Sequence, residues 1–166
     1  MFYKHFYGFI MAIALRYHPT RQEAGSVVND SFMKVFDRID RYSFTETFRG
    51  WLRRIVVNTA LDHYRRLAKH THALDLEHVE NQTVVLEDAV ISQLTADDIL
   101  KLLQHLPVQY RMVFNLYEIE GYSHEEIARQ LNLSVSSSRV YLVRAKEQLA
   151  RLVKSYFPNH DERFYP

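Results

Sequence analysis

The chain has 166 residues and is 47% hydrophobic, which is enough apolar side chain for one or two small packed domains. It has no cysteine, which excludes a disulfide framework and a thiolate metal site. It also has no apolar run of about 18 residues, which argues against a transmembrane helix. Together these features favour the cytoplasm, while the formal net charge of +1 by itself indicates no partner.

The charge is unevenly distributed along the chain. Basic residues dominate positions 49–70, where Asp62 is the only acidic residue. Positions 71–100 contain several acidic residues and no lysine or arginine, and the last predicted helix is basic again. Two basic segments on either side of an acidic spacer indicate two modules that bind nucleic acid. The spacer is most simply a linker that avoids DNA, and the alternative is that it holds the protein inactive by mimicking DNA.

The start of the chain has the apolar spacing of two consecutive helices. The first helix runs from Phe2 to Tyr17 and is ended by Pro19. Thr20 and Glu23 have the spacing of a capping box, which opens a second helix to about position 40. The residues of this second helix that we expect to face inward are Ala24, Val27, Val28, Phe32, Val35, Phe36 and Ile39.

A third helix with two different sides follows a loop over residues 41–47. Its apolar side includes Trp51, which the spacing assigns to the core. Its polar side carries Arg53, Asn58, Asp62, Arg65 and Arg66. Basic residues near the loop aromatics Tyr42 and Phe44 are suited to hold the backbone of an opened DNA strand and to stack its bases. The alternative is a basic face that is merely solvated.

The second part of the chain predicts further helices from about residue 94. Thr95 and Asp98 have the spacing of another capping box. Pro107 is suited to the first turn of the next helix, and Gly121 is suited to its end.

Residues 121–149 have the pattern of a helix-turn-helix. Ser123 and Glu126 form a capping box, and a break at residues 132–134 precedes a helix that Ser134 can cap. Its predicted buried face comprises Ser138, Leu142, Ala145, Leu149 and Leu152. The residues predicted to project elsewhere and contact DNA are Ser136, Ser137, Arg139, Val140, Tyr141, Arg144 and Lys146. Small hydroxyls followed by basic residues suit a helix that enters the major groove and contacts the flanking phosphates.

The pattern offers no catalytic or metal site. The four glycines are isolated, so no glycine-rich phosphate-binding loop is present, and no nucleophile lies beside a base. His70 and His72 are the nearest approach to a metal-binding pair, without a third ligand close in sequence. We therefore expect no enzyme activity, no cofactor, no metal and no small-molecule substrate.

No strand pattern is visible, so the predicted fold class is all-α. We expect two small helical domains joined by a flexible acidic linker. The predicted boundaries are 1–70 for the first domain, 71–93 for the linker, 94–156 for the helix-turn-helix domain and 157–166 for a mobile tail.

Three segments, in order, resemble the extracytoplasmic-function (ECF) sigma factors, small two-domain subunits of bacterial RNA polymerase. The segment ALRYHPTRQEAGSVVNDSFMKVFDRIDRY is similar to the part that docks on the beta-prime clamp helices of the polymerase. The segment FRGWLRRIVVNTALDHYRR resembles the part that recognises and melts the minus-ten element. The segment LPVQYRMVFNLYEIEGYSHEEIARQLNLSVSSSRVYLVRAKEQL resembles the domain that reads the minus-thirty-five element and contacts the beta flap. The resemblance covers roughly residues 2–153.

The resemblance implies a role for each group of residues. The loop over 41–47, with Tyr42, Ser43 and Phe44, matches the loop that captures a flipped base. The upstream DNA contacts of the third helix match Asn58, Asp62, Arg65 and Arg66. The docking surface matches Asn29, Asp30, Phe32, Met33 and Phe36. The implied partners are core RNA polymerase, promoter DNA and an anti-sigma factor.

Two functions other than that of a sigma factor are compatible with the sequence. The first is a helix-turn-helix transcription regulator without a role on the polymerase core, a class that usually dimerises on paired half-sites. The second is a degenerate sigma-like protein that titrates an anti-sigma factor. This second alternative is left open by Gly25 and Ser26, which stand where the family typically has acidic residues.

Overall fold

The computed structural model describes residues 1–70 and 95–156, and these residues form helices joined by turns, with no β-strand among them. The predicted all-α class is confirmed. The chain divides into two compact units, over residues 1–75 and 76–166. The predicted linker over 71–93 and the predicted tail over 157–166 lie outside the described residues.

Within residues 1–70, the described part of the first unit, there are three helices and one short turn. These are α1 (Phe2–Tyr17), α2 (Arg21–Arg38), a 3-10 turn (Ile39–Arg41) and α3 (Phe48–His70). Each helix packs against the other two. Their shared core contains Ile10, Ile13 and Tyr17 of α1, Val27, Val28 and Val35 of α2, and Leu52, Val56 and Leu61 of α3.

The end of α2 departs from the predicted inward face. Phe36 and Ile39 fall on the apolar spacing of the helix, but both are exposed in the structure. The prediction that they face inward was wrong, because α1 and α3 cover only the side of α2 that carries Val28 and Val35. Two large apolar side chains therefore stand on the surface of the first unit.

Residues 95–156, the described part of the second unit, form four helices. These are α4 (Ala96–Gln104), α5 (Val108–Phe114) continued by a π-helical turn (Asn115–Ile119), α6 (His124–Leu131) and α7 (Val135–Tyr156). One cluster of its core consists of Leu103, Leu106, Tyr110 and Ala145. None of the helices in the described part of either unit is both long enough and apolar enough to cross a membrane.

Local side-chain chemistry sets several of the helix ends. The capping boxes predicted at Thr95 and Ser123 are confirmed, because each hydroxyl accepts a backbone N–H and the partner carboxylate accepts one in return. At Thr20 only half of the predicted capping box forms: the hydroxyl caps α2 by accepting the N–H of Glu23 at 3.2 Å, but the Glu23 carboxylate accepts from that hydroxyl instead of from the backbone N–H of Thr20. Asn132 adopts the left-handed conformation, with φ of 54°, and so ends α6 and starts the turn into α7.

A polar contact joins the two helices of the helix-turn-helix. Ser138 of α7 is fully buried, and a 2.9 Å hydrogen bond links its hydroxyl to Nδ1 of His124 at the start of α6. Because buried hydroxyls need such a partner, this contact favours one crossing arrangement of the two helices.

Candidate nucleic-acid interface

The first turns of α7 present a continuous exposed face. Ser134 caps the helix, since its hydroxyl accepts the N–H of Ser137 at 3.0 Å. Of the predicted DNA contacts, Ser136, Arg139, Val140 and Lys146 are exposed, and Ser137 is half-buried. At about 100° per residue the four exposed residues lie within an arc of about 120°.

Val143 belongs to the same exposed face and was missed in the sequence analysis. Its side chain is 55% exposed, more than that of Val140 at 45%. The signal was present in the spacing, because Val143 is out of phase with the buried positions Leu142 and Ala145 and stands three residues after Val140.

The cations of this face have acidic neighbours on other elements. Arg139 Nη2 lies 3.9 Å from Glu125 Oε1 of α6, and Lys146 pairs with Glu118 of the π-helical turn. All four side chains are substantially exposed. Exposed pairs of this kind contribute little free energy, so both cations remain available to an incoming phosphate.

Two predicted DNA contacts of α7 lie beside the core instead. Tyr141 was predicted to project away from the buried face, but its ring packs on the Tyr110 cluster with a centroid distance of 5.5 Å. The reason is helical spacing, because Tyr141 lies four residues before the buried Ala145. Arg144 Nη1 donates a 3.3 Å hydrogen bond to the hydroxyl of Tyr110, and this bond raises the pKa of Arg144 above its ordinary value.

A charge cluster connects the polar side of α3 to α2. Asp62 accepts hydrogen bonds from Lys34 Nζ at 2.8 Å and from Arg65 Nη2 at 2.7 Å. Partial burial raises the pKa of Asp62, but the hydrogen bonds and charges of Lys34 and Arg65 outweigh burial and leave the pKa below its ordinary value. Asn58 is exposed on the same side of α3, one turn before Asp62.

Asp30 forms the second half of this cluster. Its Oδ2 atom accepts a hydrogen bond from His63 Nε2 at 2.7 Å and lies 3.5 Å from Arg66 Nη2. The hydrogen bond from His63 is the main cause that holds the pKa of Asp30 below its ordinary value. A predicted docking residue, Asp30, and a predicted DNA contact, Arg66, therefore belong to one group of interacting charges.

The loop before α3 is closed by its own side chains. The Tyr42 hydroxyl donates a 2.6 Å hydrogen bond to the carbonyl of Glu46, and Glu46 pairs with Arg54 of α3. Ser43 is exposed, and its hydroxyl lies 3.0 Å from that of Thr45. Phe44 is 84% exposed and has a positive φ of 56°. The structure thus brings Tyr42, Ser43 and Phe44 together as one compact loop.

The predicted docking residues of α2 fall into two groups. Asn29, Met33 and Phe36 are exposed along one side of the helix. Phe32 was predicted as part of that surface, but it is buried, and its ring centroid lies 4.3 Å from that of Tyr3 of α1. The spacing could not distinguish these positions, because the exposed and the buried side of α2 are both apolar here.

The described residues hold no group of three or more His, Asp or Glu side chains arranged to bind a metal ion. Of the histidine pair at positions 70 and 72, His72 lies outside the part of the chain that the structure describes.

Each of the two units matches a known protein family. The family described as Sigma-70 region 2 matches residues 2–70, and the family described as Sigma-70, region 4 matches residues 96–149. The chain is 26% identical over 155 residues to the ECF RNA polymerase sigma-E factor of Salmonella typhimurium, which covers 87% of this chain and 81% of that protein. The chain belongs to the ECF sigma factors. It is accordingly a transcription-initiation factor of RNA polymerase and not an enzyme.

Further relatives agree with this membership. The ECF RNA polymerase sigma-E factor of Escherichia coli is 25% identical over 155 residues, covering 87% of this sigma factor and 81% of that protein. The ECF RNA polymerase sigma factor SigE of Mycolicibacterium smegmatis is 29% identical over 157 residues, covering 91% of this chain and 58% of that protein.

A solved structure shares the fold. The sigma factor RpoE of Bartonella quintana, crystallised with the anti-sigma factor NepR, matches with a TM-score of 0.53 and 22% identity. The match covers 92% of this sigma factor and 96% of that chain.

Proposed function

We propose that this sigma factor opens promoters by dividing the work between its two units. The first domain, over residues 1–70, docks on the polymerase and holds the melted minus-ten element. The helix-turn-helix domain, over 94–156, anchors the upstream minus-thirty-five element, and residues 71–93 link the two. The observation that carries the proposal is that each unit presents basic residues on an exposed helix face, in the order of regions 2 and 4 of the family.

The upstream contact is assigned to α7. Ser136, Ser137, Arg139 and Val140 lie at the start of the helix, where a recognition helix contacts base edges. Lys146 contacts phosphate at the flank of the groove. Tyr141 and Arg144 support this face from the Tyr110 side, and Arg144 adds a phosphate contact from its edge.

The melting contact is assigned to the loop over 41–47 and to the polar side of α3. Phe44 is the exposed ring that stacks on an unpaired base, while Tyr42 and Ser43 shape the loop around it. Asn58, Asp62, Arg65 and Arg66 face the adjoining duplex. Base capture offsets the few kcal/mol that unstacking a base costs.

The docking contact is assigned to α2. Asn29, Met33 and Phe36 provide its exposed part, Asp30 its charge, and Phe32 the buried ring beneath it. Two exposed apolar side chains on one helix, Met33 and Phe36, are typical of a surface that a partner covers. The partner of this α2 surface is the pair of beta-prime clamp helices of core RNA polymerase. The partner of the second unit on the polymerase is the beta flap. The Bartonella protein was crystallised with an anti-sigma factor, which supports an anti-sigma partner for this chain. We place the chain in the cytoplasm, because a sigma factor acts on RNA polymerase.

Run-off transcription tests the proposal. Purified bacterial core polymerase is supplied with genomic DNA fragments, with and without this protein. We expect transcripts from specific promoters only in its presence, and a shared upstream sequence among them. A folded protein that binds core polymerase but yields no transcript would instead favour the degenerate, anti-sigma-titrating function. A folded protein that binds promoter DNA without binding core polymerase would favour a helix-turn-helix regulator.

A further inference from the structure

We propose that Val140 and Val143 together determine the upstream sequence preference by contacting the C5-methyl groups of thymines. The inference rests on the proposed function of α7 and deepens it, since it names the chemical feature of the promoter that this helix selects. Tyr141 is not part of this apolar pair, because its ring packs on the core cluster, whereas Val143 is exposed beside Val140.

The exposure of the two valines is the first observation. Val140 and Val143 are 45% and 55% exposed on a helix whose opposite side buries Ser138, Leu142 and Ala145. Their spacing of three residues places the two side chains next to each other, about 5–6 Å apart at Cβ. They form a small apolar patch at the centre of the exposed face.

The surroundings of this patch identify its occupant. Arg139 and Lys146 lie along one edge of the patch, Ser136 lies at its N-terminal end, and Arg144 lies on the other side. The acidic neighbours Glu125 and Glu118 are engaged by Arg139 and Lys146 respectively. An apolar strip bordered by cations and a hydroxyl complements the major groove, where phosphates border base edges that include one apolar group, the thymine methyl.

The dimensions of the exposed face also match those of the major groove. Residues 136–146 span about 15 Å of helix, comparable to the roughly 12 Å width of the major groove. Valines about 5–6 Å apart reach methyl groups on neighbouring or next-neighbouring base pairs, which are spaced about 3.4 Å along each strand. A valine offers no hydrogen bond, so it discriminates thymine from the other bases through the methyl group.

Uracil substitution tests the inference directly, because uracil differs from thymine only by the missing methyl. Holoenzyme is assembled from core polymerase and the full chain, and a promoter found by run-off transcription is remade with uracil at each upstream thymine in turn. We expect two positions at which uracil weakens binding about fourfold each, the factor expected for one buried methyl-sized group. The double variant Val140→Ser with Val143→Ser should bind thymine and uracil promoters equally, because serine carries no methyl group that could contact the C5-methyl of thymine.

Val108 provides the matched control, since it is a valine with 47% exposure at the start of α5 in the same unit. Val108→Ser should retain the full preference for thymine. The inference is overturned if uracil weakens binding at no upstream position, or if the double variant keeps the preference for thymine. In either case promoter-specific transcription would still uphold the proposed function. Absence of any promoter-specific transcript overturns both, and the two failures are distinguished because run-off is scored before any uracil is introduced.

Discussion

The hydroxyl of Tyr42 and the backbone carbonyl of Glu46 are joined by a 2.6 Å hydrogen bond across the loop that precedes α3. Between them Phe44 is held with a positive φ, a backbone conformation that a bulky residue adopts only when its surroundings impose it. The Tyr42 ring supports this loop by lying 4.7 Å from the ring of Phe44 and 5.4 Å from that of Trp51. The loop is therefore shaped before any DNA arrives.

Tyr42→Phe should weaken capture of an unpaired base, because the ring stays but the hydrogen bond that closes the loop is lost. We expect about a fivefold to tenfold loss of affinity, corresponding to one net hydrogen bond. Phe44→Ala should cost at least as much, through lost stacking. The measurement is 2-aminopurine fluorescence in a single-stranded minus-ten oligonucleotide bound to holoenzyme. Tyr3→Phe, at an exposed tyrosine of α1, is the control, and an equal loss in that variant would contradict the assignment.

Changing Asn58 and Arg65 together to Ala should reduce initiation on duplex promoters more than on templates that already carry an unpaired bubble. These residues are assigned to the duplex next to the melted element, so their loss raises the free energy of opening the promoter. Initiation rates on the two templates are compared within one preparation of holoenzyme. Equal losses on both would argue against a role in melting.

Arg144→Ala should weaken binding to the upstream duplex about threefold to tenfold, as expected for the loss of one hydrogen bond to phosphate, and should leave core binding intact. Tyr110→Phe should have a smaller effect in the same direction, because it removes only the hydroxyl that orients the guanidinium. Lys154→Ala, at an exposed position near the other end of α7, is the control. For each variant, the affinity for promoter duplex and the affinity for core polymerase are measured. A parallel loss of both affinities would refute the assignment of Arg144 to DNA contact.

Asp30→Asn and Asp62→Asn should each flatten the acid side of the stability profile. Both carboxyls have a folded-state pKa below the ordinary value of 3.8, so their stabilising effect is complete above that pH and is lost as pH falls through the lowered pKa. Both are close to half exposed, so we expect less than about 1 kcal/mol from each. Denaturant unfolding is measured from about pH 2.5 to about pH 6, a range that includes the ordinary pKa of an aspartate. Asp37→Asn, at an exposed position of α2, is the matched control.

Gly25→Ala should raise the free energy of unfolding by about 0.5–1 kcal/mol, because an alanine stabilises a helix interior and a Cβ at this position meets no atom within 4 Å. Gly121→Ala should lower it by a similar amount, about 1 kcal/mol, since Gly121 has a φ of 77° that favours glycine. Chemical denaturation of both variants provides the comparison. A stabilised Gly25→Ala variant that also binds core polymerase normally would indicate that this glycine has no part in docking.

The starts of helices were predictable from the sequence because capping is local. The Thr95 and Ser123 boxes involve residues three positions apart, so the pattern alone identifies them. The cluster that joins Asp30 to His63 was not predictable, because those residues are 33 positions apart and meet only when α2 packs on α3. The exposure of Phe36 and the partial burial of the Tyr141 ring were not predictable for the same reason, because each depends on which side of its helix the neighbouring helices cover.

The hydrogen bond between the buried Ser138 and the half-buried His124 makes the angle between the two helices of the helix-turn-helix depend on a core position of α7. A larger side chain in place of Ser138 would change the angle at which α7 leaves α6 and would carry Arg139, Val140 and Val143 with it as a rigid group. Promoter preference would then change through a substitution that contacts no DNA.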